Sequence, residues 1–250
     1  MRPCLLFCII IFFTFSASGQ YPFEKSKRIK FKRFENWQII ERSDIRADYS
    51  ITLPGFFSQR SSLKFQMRSV VDKDSSIITI FKKGKLLQTF TEPYFIGGVV
   101  GPAPKAVYWE DINGDGLSDL KVIVPGNACC GAYNYYLRVI YLFQKTDGTF
   151  TKISFTDLMM NYINRPERDI DGDGNFEIIT QSFQSYGDHN YWVFNLYNFN
   201  GSGFVNVNQK GGYPIMVQLL YRNNYKVTEK ISRAKMKQFT KQYPSDYDKK

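Results

Sequence analysis

Two ten-residue stretches of this chain carry the same arrangement of oxygen-bearing side chains. The first is D-I-N-G-D-G-L-S-D-L, Asp111 to Leu120, and the second is D-I-D-G-D-G-N-F-E-I, Asp169 to Ile178. Oxygen donors stand at positions 1, 3, 5 and 9 of each, as Asp111, Asn113, Asp115 and Asp119, then as Asp169, Asp171, Asp173 and Glu177. Glycine fills positions 4 and 6, and Gly116 and Gly174 permit a sharp turn that a Cβ would hinder. Hard cations are held by rings of carboxylate and carbonyl oxygens. Carboxylates a few ångströms apart repel strongly unless a counter-ion joins them, so a metal-free acidic turn is costly. The spacing therefore predicts two cation sites. Calcium is the expected ion, because every donor is oxygen and magnesium resists dehydration in such cages.

Around each loop the chain follows one plan. After the first loop come a β-branched run (120–124), a long aromatic strand (135–143), a Lys-Thr-Asp-Gly turn (145–148) and a final strand (149–155). After the second come 178–182, a loop around Gly187, then 191–197, an Asn-Gly-Ser-Gly turn (200–203) and 204–207. Asp111 and Asp169 lie 58 residues apart, and Phe150 and Phe204, each just past its turn, lie 54 apart. That agreement marks an internal repeat, with copies at about 105–160 and 163–208. A degenerate third copy precedes them, with strands at 62–71, 77–81 and 86–91 and a hairpin turn at Lys82-Lys83-Gly84-Lys85. Its Asp72-Lys73-Asp74-Ser75 segment lacks the glycines and the ninth-position acid, so no metal site is expected there. Short strands and repeats of roughly 50 residues predict an all-β fold with a small β-propeller-like repeat architecture. One C-terminal helix is expected over about 228–242, capped by Thr228 and stopped by Pro244, and the tail 245–250 reads as disordered.

Asp-x-Asp/Asn-x-Asp-Gly also opens an EF-hand, which needs a bidentate Glu at position 12 and helices on both sides. Position 12 is Val122 in the first loop and Thr180 in the second, each among strand-forming residues, so the EF-hand reading fails. An acid at position 9 running straight into a strand instead resembles the FG-GAP or VCBS-type repeat, the calcium-loop blade of integrin-alpha-like β-propellers. The resemblance covers about residues 105–208, and Gly101-Pro102-Ala103-Pro104 echoes the family's flanking signature. It implies that Leu117 and Asn175 contribute backbone carbonyls, which completes two Ca2+ sites. The two-loop layout also looks like small exported bacterial VCBS-repeat proteins, some related to inhibitors of lysozyme-like cell-wall hydrolases.

The first residues read as a secretory signal peptide (1–19). Arg2 is basic, 4–15 is apolar but shorter than the roughly 20 residues of a membrane span, and Ala17-Ser18-Gly19 suits cleavage. A single domain over 20–250, secreted or periplasmic, is expected, with no membrane span. Removing Arg2 takes the net charge from +10 to +9. Much of the excess lies in Lys25 to Arg33, where Ile29 and Phe31 alternate with the charges as in an edge strand, and in Lys226 to Lys241. No nucleic-acid motif accompanies it, so no nucleic acid is expected as a partner. Cys129 and Cys130 are adjacent, which admits a strained vicinal disulfide, two free thiols or intermolecular pairing. No further Cys or His completes a zinc set.

The single histidine, His189, lies in S-Y-G-D-H-N-Y-W without a G-x-S-x-G or H-E-x-x-H motif. The obvious acids are committed to the loops. The expectation is a non-enzymatic protein. Loops between strands carry Tyr133, Tyr135, Tyr136, Tyr186, Tyr191 and Trp192, residues suited to a contact surface or to the space between sheets. Two function classes follow. One is recognition of another protein, as inhibitor of or immunity factor against a cell-wall hydrolase. The other is a glycan- or envelope-polymer-binding module. A charge of +9 is repelled at long range by a basic lysozyme, which favours other hydrolases.

Overall fold

The computed structural model describes residues 32–41, 48–70, 75–93, 106–125, 136–158, 167–219, 225–227 and 231–250. Residues 1–19, most of the first basic run, residues 71–74 and 101–104, Cys129, Cys130, Tyr133, Tyr135 and Thr228 lie outside them.

The chain is all-β. In order come β1 (Lys32–Arg33), β2 (Gln38–Glu41), β3 (Asp48–Ser58), β4 (Ser61–Val70), β5 (Ser75–Lys82) and β6 (Lys85–Pro93). Then follow β7 (Ala106–Glu110), β8 (Asp119–Pro125), β9 (Tyr136–Gln144), β10 (Phe150–Leu158), β11 (Arg168–Asp169), β12 (Ile178–Tyr186), β13 (His189–Phe199) and β14 (Phe204–Asn206). The chain continues through α1 (Asn208–Gly211), β15 (Ile215–Leu219), β16 (Tyr225–Val227), α2 (Arg233–Lys237) and β17 (Ser245–Lys249). Among the described residues no helix is long and apolar enough to cross a membrane.

Beside the two-stranded β1-β11 pair, three larger antiparallel sheets make up the fold. The first is the meander β3-β4-β5-β6, the second runs β17-β10-β9-β8-β7-β2, and the third is β12-β13-β15-β16 with β14 on β13. In β4, Leu63, Phe65 and Met67 point inward while Lys64 and Arg68 point out, the period-2 pattern of a sheet with one covered face. In β9 every residue from Leu137 to Phe143 is buried, because the middle sheet is covered on both sides. Val107, Trp109, Leu120, Val122, Ile140 and Leu142 pack with Leu63, Phe65, Ile78 and Ile80 of the first sheet. Tyr108, Val139, Tyr141, Phe143 and Phe155 face the other way, against Ile178, Tyr197, Phe199 and Phe204 of the third. Consecutive meanders stacked face to face are also how propeller blades pack.

The middle sheet borrows both of its edges. β2 pairs with β7, with Ile39 opposite Tyr108, and β17 pairs with β10, with Asp248 opposite Ser154. The expectation of a disordered tail at 245–250 is therefore corrected. Its charges read as solvent-facing, but Asp248 pairs with Lys152, which is buried, and the Tyr247 hydroxyl accepts the Phe204 N–H at 3.0 Å. Backbone bonds between Lys152 and Lys250 (2.7 and 3.0 Å) continue the ladder to the last residue. Among the described residues of the expected helix (231–242), the helix is α2, whose cap is Ser232, accepting the Lys235 N–H at 3.2 Å. Beyond it Phe239 and Thr240 bond three residues back rather than four, a tightening that ends the helix.

Candidate metal centre

Both loops join a pair of antiparallel strands. The residue before position 1 is paired with position 9 in each case, Glu110 with Asp119 and Arg168 with Glu177. Three of their internal hydrogen bonds recur at matching positions. At position 4 the N–H donates to the position 1 carboxylate, Gly114 to Asp111 (2.8 Å) and Gly172 to Asp169 (2.7 Å). At position 7 it donates to position 5, Leu117 to Asp115 and Asn175 to Asp173, both 2.8 Å. Position 2 donates to the buried acid at position 9, Ile112 to Asp119 (3.3 Å) and Ile170 to Glu177 (2.8 Å). Both glycines of each loop have positive φ, from 76° at Gly114 to 85° at Gly174, which side chains with a Cβ rarely adopt.

The loops lie against each other. Phe176 donates its N–H to the Ile112 carbonyl at 3.2 Å, and a Cβ on Gly114 would sit 3.2 Å from the Gly174 carbonyl oxygen. β11, which carries Asp169, is held by β1, where Lys32 and Arg33 pair with Asp169 and Arg168. The end of the first basic run is thus a strand that fixes the start of the second loop.

The two loops gather their oxygens differently. In the second, carboxylate oxygens of Asp169, Asp171 and Glu177 lie within 4.8 Å of one another. Two ligands on opposite sides of a calcium ion stand about 4.6–5.2 Å apart, so this triad fits around one ion of that size. Asp173 lies to one side, and Asn175 turns its amide to the Phe199 carbonyl (3.1 Å). In the first loop Asp111 accepts three backbone N–H groups, from Gly114, Asp115 and Gly116, and Asn113 donates to Asp115 at 3.0 Å. Among the described residues the first loop forms no comparable triad. Burial pushes the Asp119 carboxyl well above the usual aspartate range; the Gln144 and Ile112 N–H groups oppose this, and the Asp115 and Asp111 charges add to it. Glu177 is raised for the same first reason.

Pattern reading missed Lys210. This residue of α1 sends its ammonium into the second loop, where it pairs with Asp171, lies 3.3 Å from Glu177 Oε1 and 3.6 Å from Asp173 Oδ2. Burial alone would lower its pKa, but the bonds to Asp171 and Glu177 raise it overall, and the Lys210 hydrogen bond lowers Asp171. Asn198 was also missed; it donates to Glu177 Oε1 at 3.1 Å across the sheet. Neither belongs to the loop motif, so no spacing signal could have marked them.

Of the aromatic residues read as suited to a contact surface or to the space between sheets, Tyr191 and Trp192 are buried and belong to the packing of the third sheet, whereas Tyr186 is 36% exposed. His189 is exposed at the start of β13, its ring 6.4 Å from that of Tyr191. No protein-family model matches this chain, and no curated protein or solved structure is significantly similar to it.

Proposed function

We propose that this chain is an exported, non-enzymatic calcium-binding β-repeat protein of the FG-GAP or VCBS type with propeller-like sheets. It acts by recognising another protein, as inhibitor of or immunity factor against a cell-wall hydrolase. The observation that carries the calcium reading is the duplicated loop, in which the buried ninth-position acid returns to the second amide in both copies. The Asp169, Asp171 and Glu177 oxygens suit one hard cation, and the ion's part would be structural, drawing the carboxylates together and pinning adjacent strands. An ion that binds only the folded chain adds about 2.7 kcal/mol per site at a hundredfold excess over Kd. At about 2–4 °C per kcal/mol, each filled site raises Tm by roughly 5–10 °C. Melting the protein in EDTA and then in excess Ca2+ tests this, and superimposable curves would refute the calcium reading.

A glycan-binding reading has its own support. A cavity of about 180 Å³ is lined by Ser182, Gln184, Val193, Gln238, Phe239, Thr240 and Lys241, beside exposed Phe183 and Tyr186. Hydroxyls and amides next to aromatic rings suit a sugar. Capture from envelope extract with and without Ca2+, alongside titration with soluble peptidoglycan fragments, separates the two. A hydrolase retained on the protein supports the first reading; saturable fragment binding without one supports the second.

A further inference from the structure

Three of the four acids of the second loop already hold a positive charge that belongs to the chain. Lys210 reaches Asp171, Asp173 and Glu177 at once, three of the four predicted carboxylate ligands. In the first loop, among the described residues, no lysine or arginine pairs with Asp111, Asp115 or Asp119, whose partners are backbone amides and the Asn113 side chain. The loops are alike in sequence and in three of their backbone bonds but differ in where their counter-charge comes from.

We propose that the Lys210 ammonium is the resident cation of the second loop, and that a divalent ion enters that loop only by displacing it, so that the first loop fills before the second. This rests on the reading of both loops as cation sites. The geometry allows the exchange without disturbing the fold. α1 is anchored at Asn208, whose Oδ1 accepts the Leu196 N–H at 2.7 Å and whose Nδ2 donates to Asn195 Oδ1 at 2.9 Å. The Lys210 side chain is 25% exposed, and Asp171 and Asp173 beside it are 31% and 48% exposed, so the ammonium has a path to water along a flexible four-carbon stem. Rotation of one side chain clears the site. A divalent ion brings twice the charge of the group it replaces, whereas a monovalent ion brings no more, so the exchange favours divalent ions.

The test is isothermal titration of the full chain with Ca2+, comparing wild type with Lys210→Met and the charge-retaining Lys210→Arg. Wild type should show two steps differing in affinity by at least about tenfold. Lys210→Met should tighten the weaker step by at least about tenfold and leave the stronger one in place, while Lys210→Arg stays near wild type. In EDTA, Lys210→Met should also melt below wild type, because Asp171, Asp173 and Glu177 then lose their counter-charge. If Lys210→Met does not fold, Lys210→Gln serves in its place. Two equal steps in wild type, or a weaker step that Lys210→Met leaves unchanged, overturns the proposal while the loops stand as cation sites. Absence of any binding in all variants overturns the cation reading of the loops and the proposal with it.

Discussion

Glu92 is a residue whose neutralisation should cost this fold heavily. It lies fully buried on β6 in the first sheet, while Arg138 and Lys152, also fully buried, lie on β9 and β10 of the middle sheet. Its carboxylate accepts from Arg138 Nε at 2.6 Å and from Lys152 Nζ at 2.7 Å. Lys152 reaches on to Asp248 of β17, and Arg138 to the Asp246 carbonyl at 2.7 Å, so one carboxylate ties two sheets and the C-terminal strand together. Glu92→Gln keeps the shape but leaves two cations with a single acid, Asp248, on the more exposed side. Breaking a buried pair in this way costs about 3–5 kcal/mol, because desolvated charge is left uncompensated. At about 2–4 °C per kcal/mol the melting temperature should fall by roughly 6–20 °C. Urea unfolding should show the loss as a lower midpoint with an unchanged slope. Glu92→Gln combined with Lys152→Met should recover part of it, since an orphaned cation is removed together with its partner. A loss under about 1 kcal/mol would place the network with solvent-exposed ion pairs and refute the argument from burial.

Two further outcomes follow from the loops. Gly114→Ala should destabilise by about 1–2 kcal/mol more than Gly116→Ala: both glycines have positive φ, but only at Gly114 does a Cβ meet backbone, the Gly174 carbonyl oxygen at 3.2 Å. Equal losses in urea unfolding would show that the loops do not bear on each other. The pH dependence in EDTA should follow Asp119 and Asp171, whose unfolded values lie near about 3.9. Asp119 is raised in the fold, so its contribution is present below that value and is lost as pH rises through the folded pKa. Asp171 is lowered, so its contribution is present above the unfolded value and is lost as pH falls through the folded pKa. Stability without calcium should therefore be highest near about pH 3.9, where both contributions are present, and decline as pH rises toward the folded Asp119 pKa, and Ca2+ should flatten that decline by compensating Asp119. A calcium-induced Tm shift no larger at about pH 7 than at about pH 4.5 would contradict this.

Local chemistry made part of this protein legible from its residues alone. Alternation of the kind seen in β4, the Lys83-Gly84 hairpin turn and the duplicated acid-and-glycine loops all act over a few neighbours, so their spacing carries the outcome. The all-β class and the strand-loop-strand setting of both loops were readable for that reason. Partners distant in sequence were not. Lys210 meets Glu177 from 33 residues away, Lys152 meets Glu92 across 60, and Asp248 completes that network across 96. A lysine or aspartate in a polar stretch looks solvated, and only packing decides that its charge is enclosed; hence the tail that read as disordered became β17. Tyr191 and Trp192 illustrate the same point, since an aromatic residue suits a contact surface as well as a core, and the third sheet buried them. The sequence determined which oxygens could surround a cation. The tertiary structure decided which were drawn together, that the two loops touch, and that one of them receives a cation from the chain itself, because those outcomes depend on distances that no local pattern encodes.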